Sequence, residues 1–187
     1  MPLATLAQLK EALGETADTD DTRLTRILNA ASGYCERYCR RTFASATYTN
    51  ELYDGSGRDV LLLNHFPIIT LTSVSEYGTA LTVGVNPTDG ADVFPDKPRG
   101  AIIRPDARFI ACRMYYDVTY DAGYASVPDE VVQSCIDVAS IMVREKDRIG
   151  LGSKSAGQQT TSYIREIPEM SRQTLDLYRN FSLMRAA

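Results

Sequence analysis

The sequence predicts an α+β chain: a helical bundle with an antiparallel β-subdomain inserted between its second and third helices. Three observations predict it. Apolar residues recur at helical spacing near the start of the chain and again beyond residue 125. Between them, over 46–124, Tyr, Thr and Val alternate with polar residues and are cut by Gly, Pro and Asp turns. The segment after Pro128 is apolar around most of its circumference, as in a helix buried on several sides. The expected organisation is N-terminal helices over 1–45, the β-subdomain over 46–124 and a long buried helix over 125–149. A flexible linker and a C-terminal docking helix follow over 150–187. A chain of 187 residues buries about 70% of its unfolded surface and needs no staples.

Thr5 and Gln8 have capping-box spacing, and Leu6, Leu9 and Leu13 form a stripe that stops at Gly14. Asp18, Asp20 and Asp21 sit where acids favour a helix N-terminus. Leu24, Ile27, Leu28, Ala31, Cys35 and Tyr38 then continue at helical spacing to about Arg40. Strands are expected over 47–53, 60–63, 71–77, 81–85, 101–103 and 109–120, with a turn at 54–57 and a long loop over 86–100. Period two puts Met114, Tyr116, Val118 and Tyr120 on one face. Pro128, Asp129 and Glu130 open a helix expected to reach Arg148. Residues 150–162 are small and polar and read as mobile, and 163–167 as a short strand. A last helix over 170–184 aligns Met170, Thr174, Leu177, Phe181 and Met184 in one seam, with Leu175 and Tyr178 on an adjacent edge.

The net charge of −4 and pI of about 5.1 argue against a grip on nucleic acid through phosphate neutralisation. The excess is local. Residues 1–46 carry six basic and six acidic groups, residues 128–187 eight of each, and residues 47–127 six against ten. No apolar run approaches the ~18 residues that span a membrane, and the first fifteen residues lack the marks of a signal peptide. The chain is expected to be made and kept in a cytoplasm, or in a particle assembled there.

Candidate chemistry is sparse. Cys35 and Cys39 lie one turn apart, but a structural zinc site needs four ligands, and Cys112, Cys135 and the lone His65 are scattered singly. The thiols read as small buried hydrophobes. His65 has no orienting partner in sequence. The run Gly150-Leu151-Gly152-Ser153-Lys154-Ser155 misses the phosphate-loop pattern at Arg148 and Ser153 and follows a helix, so it reads as a linker. Asp20 with Asp21 reads as capping, and Asp54/Asp59 and Asp117/Asp121 as turn and strand-end solvation. No catalytic, cofactor-binding or metal-binding residue is assigned, and the expectation is a protein that is not an enzyme.

The order of "ILNAASGYCERYCRRTF", "YDGSGRDVLLLNHFPI", "VTYDAGYASVPDEVVQSCIDVASIMV", a Gly/Ser linker and a terminal helix resembles the head–tail connector (neck adaptor) proteins of tailed bacteriophages. The likeness covers most of residues 3–148. The family's simplest members are nearly all helical, so the β-region reads as an elaboration. The resemblance implies a virion ring, usually of twelve copies, under the portal protein at the capsid vertex. Such a ring extends the DNA channel, lets DNA pass without specific binding and offers a platform to the next neck or tail protein. On that footing Leu177, Phe181 and Met184 are expected to contact another chain, and the linker with Gly150, Gly152 and Gly157 to order against a neighbour. Some of Glu51, Asp59, Asp89, Asp92, Asp96 and Asp106 are expected to face the channel. Two alternatives stand beside this reading: a tail-completion or neck protein one step further down, and a small acidic enzyme or ligand-binding module built on the β-insert.

Overall fold

The structure is a computed structural model that describes residues 2–144 and 168–180 and the backbone of 153–156 and 159–162. It is an α+β fold. The helices are α1 (Leu6–Leu13), α2 (Asp21–Cys39), α3 (Asp129–Arg144) and α4 (Glu169–Leu177). The strands are β1 (Ala46–Tyr53), β2 (Val60–Leu62), β3 (Ile68–Glu76), β4 (Thr79–Leu81), β5 (Phe94–Asp96), β6 (Ala101–Ile103), β7 (Tyr116–Ala122), β8 (Ser153–Ala156) and β9 (Gln159–Ser162). The chain divides into two compact units, Met1–Arg40 with Val127–Asn180, and Arg41–Ser126.

In the helical unit the capping box forms as expected. Thr5 Oγ1 accepts the Gln8 N–H at 3.3 Å, and Gln8 Oε1 accepts the Thr5 N–H at 2.8 Å. Gly14 ends α1 at φ +70°, a left-handed conformation that glycine adopts without steric cost. Asp20 precedes α2 but does not cap it; its carboxylate takes Arg23 at 2.7 Å instead. Lys10 bridges Asp18 and Asp21 across the turn between α1 and α2.

The buried stripe of α2 is rotated from the expected one. Leu24, Leu28, Ala31, Ser32, Cys35 and Cys39 are buried, whereas Ile27 and Tyr38 are half-buried. Polar bonds fix this rotation. Ser32 accepts the Leu3 N–H at 3.0 Å and donates to the Leu28 carbonyl, and the Cys39 thiol donates to the Leu175 carbonyl at 3.4 Å. Facing α2, helix α3 buries Val131, Ser134, Cys135, Val138 and Ala139. The expected extension of α3 over 145–148 lies outside the described residues.

Two features of the C-terminal region differ from expectation. Part of the predicted linker is a hairpin, with β8 and β9 antiparallel and Ser153 opposite Ser162; Gly150, Gly152, Gly157 and 163–167 lie outside the described residues. Helix α4 stops at Leu177, where the Tyr178 N–H turns back to the Leu175 carbonyl. Asn180 is then buried and gives its N–H to the Cys39 carbonyl at 2.8 Å, which draws the chain off the helix axis. The seam expected to run through Phe181 and Met184 is therefore not one continuous helix, and both residues lie outside the described ones.

Cys35, Cys39 and Cys135 are fully buried and Cys112 is exposed. The neighbouring Cys135 thiol, with burial, pushes the Cys35 thiol far above its ordinary range. Native alkylation read by mass spectrometry should modify Cys112 first and leave the other three until unfolding. Equal, rapid labelling of all four would contradict this packing.

In the second unit a four-stranded antiparallel sheet runs in the order β1-β7-β3-β4, and a three-stranded one in the order β2-β6-β5. Tyr116, Val118, Tyr120 and Ala122 alternate into the core with Leu61, Val74, Ile102 and Phe109. Met114 does not join them. It sits at φ +48°, 66% exposed, with its N–H held by Asp54 Oδ1 at 2.7 Å, so β7 begins two residues later. Strand β5 falls inside the predicted loop; its Pro95, lacking an N–H, is tolerated because β5 is a sheet edge. Gly55 is dictated by close approach: a Cβ there would lie 1.7 Å from the Ile110 carbonyl oxygen. β1 carries a bulge between Tyr48 and Glu51, where Asn50 adopts φ +53° and its N–H bonds Thr119 Oγ1.

Candidate functional site

The sequence points to α4 and to the acidic residues of the β-unit, and the structure gives each a distinct setting. One edge of α4 packs inward through Ser171 and Leu175. It is tied by Ser171 Oγ to Asp137 at 2.7 Å, by Tyr38 to Asp176 at 2.8 Å and by Tyr178 to Glu130 at 3.1 Å. The other edge presents Met170, 81% exposed, and Leu177, 84% exposed, with Thr174 half-buried between them. Spacings of four and three place these residues on one side of the helix. Two large apolar side chains are thus held outward on a helix anchored by its opposite edge.

The acidic residues separate into two groups. Asp59 and Asp106 are exposed and share a shallow surface depression with Arg58, Pro105, Ala107 and Arg108. The others have local partners. Asp89 accepts the Val85 and Asn86 N–H groups, Asp92 accepts the N–H and hydroxyl of Thr82, and Asp96 faces Arg99 at 3.5 Å.

Glu51 departs furthest from an open surface charge. Its carboxylate accepts the Tyr53 hydroxyl at 2.7 Å, the Tyr120 hydroxyl at 2.7 Å and Asn64 Nδ2 at 2.9 Å. His65 Nε2 lies 3.9 Å away, and the His65 ring stacks on Tyr48 at 3.8 Å. Burial works against the Glu51 charge, but the hydrogen bonds from Tyr53, Asn64 and Tyr120 outweigh it and hold the carboxyl below its usual range. Burial pushes both tyrosine hydroxyls up and the His65 imidazole down. Beside this cluster the buried Arg41 guanidinium lies 3.9 Å over the Phe66 ring, between Phe43 and Tyr124. The available signal for the cluster was period two: Glu51 and Tyr53 share a face of β1, and Tyr120 lies on the matching face of β7. The strand pairing that joins them was the missing piece.

Among the described residues there is no group of three or more His, Cys, Asp or Glu side chains placed to hold a metal, and no helix long and apolar enough to cross a membrane. Asp54 caps the Met114 N–H and Asp121 accepts the Thr47 hydroxyl at 2.6 Å, so both serve local turns and pairing.

No curated protein matches the sequence. The fold has relatives among solved structures. A chain in the neck of an empty GTA particle, computed with C6 symmetry, superposes with a TM-score of 0.60 at 18% identity, covering 95% of this chain and 90% of that one. A chain in the neck of the native GTA particle, computed with C12 symmetry, gives 0.56 at 16% identity, covering 94% and 87%. A chain in the virion of the native gene transfer agent particle gives 0.53 at 17%, covering 95% and 90%. At such identities the likeness is one of fold. The sequence profile of head completion proteins matches residues 2–181, nearly the whole chain. The chain belongs to the head completion protein family.

Proposed function

We propose that this chain is a structural virion protein that assembles into a ring of twelve copies, joins the portal protein at the capsid vertex to the tail, and extends the DNA channel. The observation that carries this reading is the family match over residues 2–181. The shared fold with chains of GTA necks, solved with sixfold and twelvefold symmetry, supports the ring. The role is one of assembly and involves no catalysis.

In this reading the architecture is a helical bundle, 1–45 with 125–149 and the terminal helix, into which the β-unit over 46–124 is inserted. The division of the chain near residues 40 and 127 supports it. Leu177, with Met170 beside it, is the contact to a neighbouring subunit or the portal, and Phe181 and Met184 continue that contact along the sequence. Gly150, Gly152 and Gly157 let the hairpin region reach it. Those of Asp59, Asp89, Asp92, Asp96 and Asp106 that face the channel or its rim give it a charge that repels phosphate; Glu51, occupied by three donors, contributes least.

A null allele should accumulate DNA-filled heads without tails, and the wild-type chain supplied in trans should restore joined particles whose neck shows one ring of this protein. Complete necks in the null would overturn the assignment.

A further inference from the structure

Among the exposed apolar residues of the β-unit, which include Leu52, Leu62 and Ile69, the most exposed, Tyr77, Val85 and Met114, mark two features. The first is a tip where β1 ends and β7 begins. Tyr77, 81% exposed, Met114 and the 53% exposed Ile110 stand there. The tip is rigid. Gly55 N–H bonds the Cys112 carbonyl at 2.8 Å, Tyr77 N–H the Tyr115 carbonyl at 2.9 Å and Ile110 N–H the Tyr116 hydroxyl at 2.7 Å. The Tyr77 and Tyr115 rings stack at 5.4 Å. Tyr77 and Met114 both hold left-handed backbone, at φ +47° and +48°, a conformation unfavourable for large side chains and one that the hydrogen bonds enforce.

The second feature is the loop 82–92. β4 starts beside the tip, with Thr79 opposite Glu76, and leads away from it to Leu81 opposite Val74. The loop that follows is closed by pairing of Val83 with Val93 and pinned by the Asp89 and Asp92 carboxylates. It presents Val85, 76% exposed. The two features also differ in sign. Residues 82–92 contain two acids and no base, and residues 107–115 contain Arg108 and Arg113 and no acid. Asp54, next to the tip, has its carboxylate on the Met114 N–H.

We propose that loop 82–92 of one copy docks, through Val85, on the Ile110–Met114–Tyr77 tip of the next copy in the ring. The proposal rests on the ring reading above. Opposite charge brings the two surfaces together, apolar contact seals them, and little conformational freedom is lost because both are already pinned. Each copy carries both surfaces, and they are unlike, so the contact is heterologous. Repeated head to tail, such a contact runs on from copy to copy rather than stopping at a dimer, and it closes into a ring where the rotation between copies closes.

The chain supplies its own reporter. Cys112 lies in the tip and is exposed, while Cys35, Cys39 and Cys135 are buried. Val85→Cys therefore places a thiol on the loop opposite a native thiol on the neighbour's tip. Assembled particles carrying this variant should be treated with a short bismaleimide. A covalent ladder extending past the dimer is expected, with monomer alone from Val85→Cys/Cys112→Ser and from the wild type. Monomer alone from Val85→Cys chains seen by electron microscopy in the neck would overturn the contact while leaving the ring intact. Dimers from either single-thiol chain would also overturn it, since they mark contacts between like surfaces. Absence of the protein from necks altogether would remove the ring reading and this contact with it.

Discussion

Glu51→Ala should lower the unfolding free energy by about 2–4 kcal/mol, one of the largest losses available to a polar substitution in this protein. The carboxylate accepts three hydrogen bonds, from Tyr53, Tyr120 and Asn64. Removing it takes the charged acceptor from two buried phenols and from the Asn64 amide; the phenols keep each other at 2.7 Å, and Tyr53 keeps the Asn64 N–H at 3.1 Å. A hydrogen bond to a charged group contributes roughly 1.5–3 kcal/mol, and a buried polar group left unpaired costs about 1–3. The carboxylate is 25% exposed and these terms do not add, so the expected loss lies well below the sum of three such bonds. Glu51→Gln preserves shape and one acceptor and should lose about half as much.

The pH dependence separates charge from shape. The folded carboxyl titrates below its unfolded value. Its contribution is therefore complete above an unfolded pKa of about 4.3 and disappears as pH falls through the folded value. His65 acts at higher pH in the same direction. Its folded value is depressed by burial, so stability falls as pH drops below an unfolded value of about 6.5. Denaturant melts across this range should show two acid limbs in the wild type, and Glu51→Gln should shrink the lower one, leaving the part due to Asp18 and Asp92. An unchanged lower limb in Glu51→Gln would mean that the carboxylate is not held as an ion by these donors.

How much of this was legible in the sequence varied with the range of the interaction. The capping box at Thr5 and Gln8 and the stop at Gly14 are local, and residues three to eight apart determined them. The inward alternation of Tyr116, Val118 and Tyr120 was equally readable from period two. Met114 carried the same pattern one step too far, because only the distant Asp54 carboxylate pins its N–H and turns the backbone. Cys39 reads as a small buried hydrophobe, but its sequence neighbours, Arg37, Arg40 and Arg41, do not show what covers it. It is buried because Leu175 and Asn180, some 136 residues or more away, close over it. The Glu51 cluster joins residues as far as 69 apart through one strand register, which no local window contains. Strands β8 and β9 failed for another reason. Ser, Thr, Gln and Gly make a linker by composition, and backbone pairing alone makes them a hairpin.

Leu175 and Leu177 stand two residues apart on α4 and should behave in opposite ways. Leu175 is fully buried, so Leu175→Ala should lower monomer stability by about 2–5 kcal/mol. Cutting the chain before Pro168 should do the same, since it also removes the Asn180 N–H from the Cys39 carbonyl. A truncated chain therefore says little about assembly. Leu177 is 84% exposed and Met170 81%, so Met170→Ser with Leu177→Ser should leave the monomer transition within about 0.5 kcal/mol of wild type. The same pair should abolish head–tail joining. Burying such a side chain against another chain contributes roughly 1.5–3 kcal/mol, and the loss recurs at every subunit of a closed ring. Thermal melts of the soluble protein and complementation of the null allele measure the two effects independently. Full complementation by the double serine variant would show that the outer edge of α4 is ordinary surface, and a monomer destabilised as deeply as Leu175→Ala would return that edge to the protein's own core.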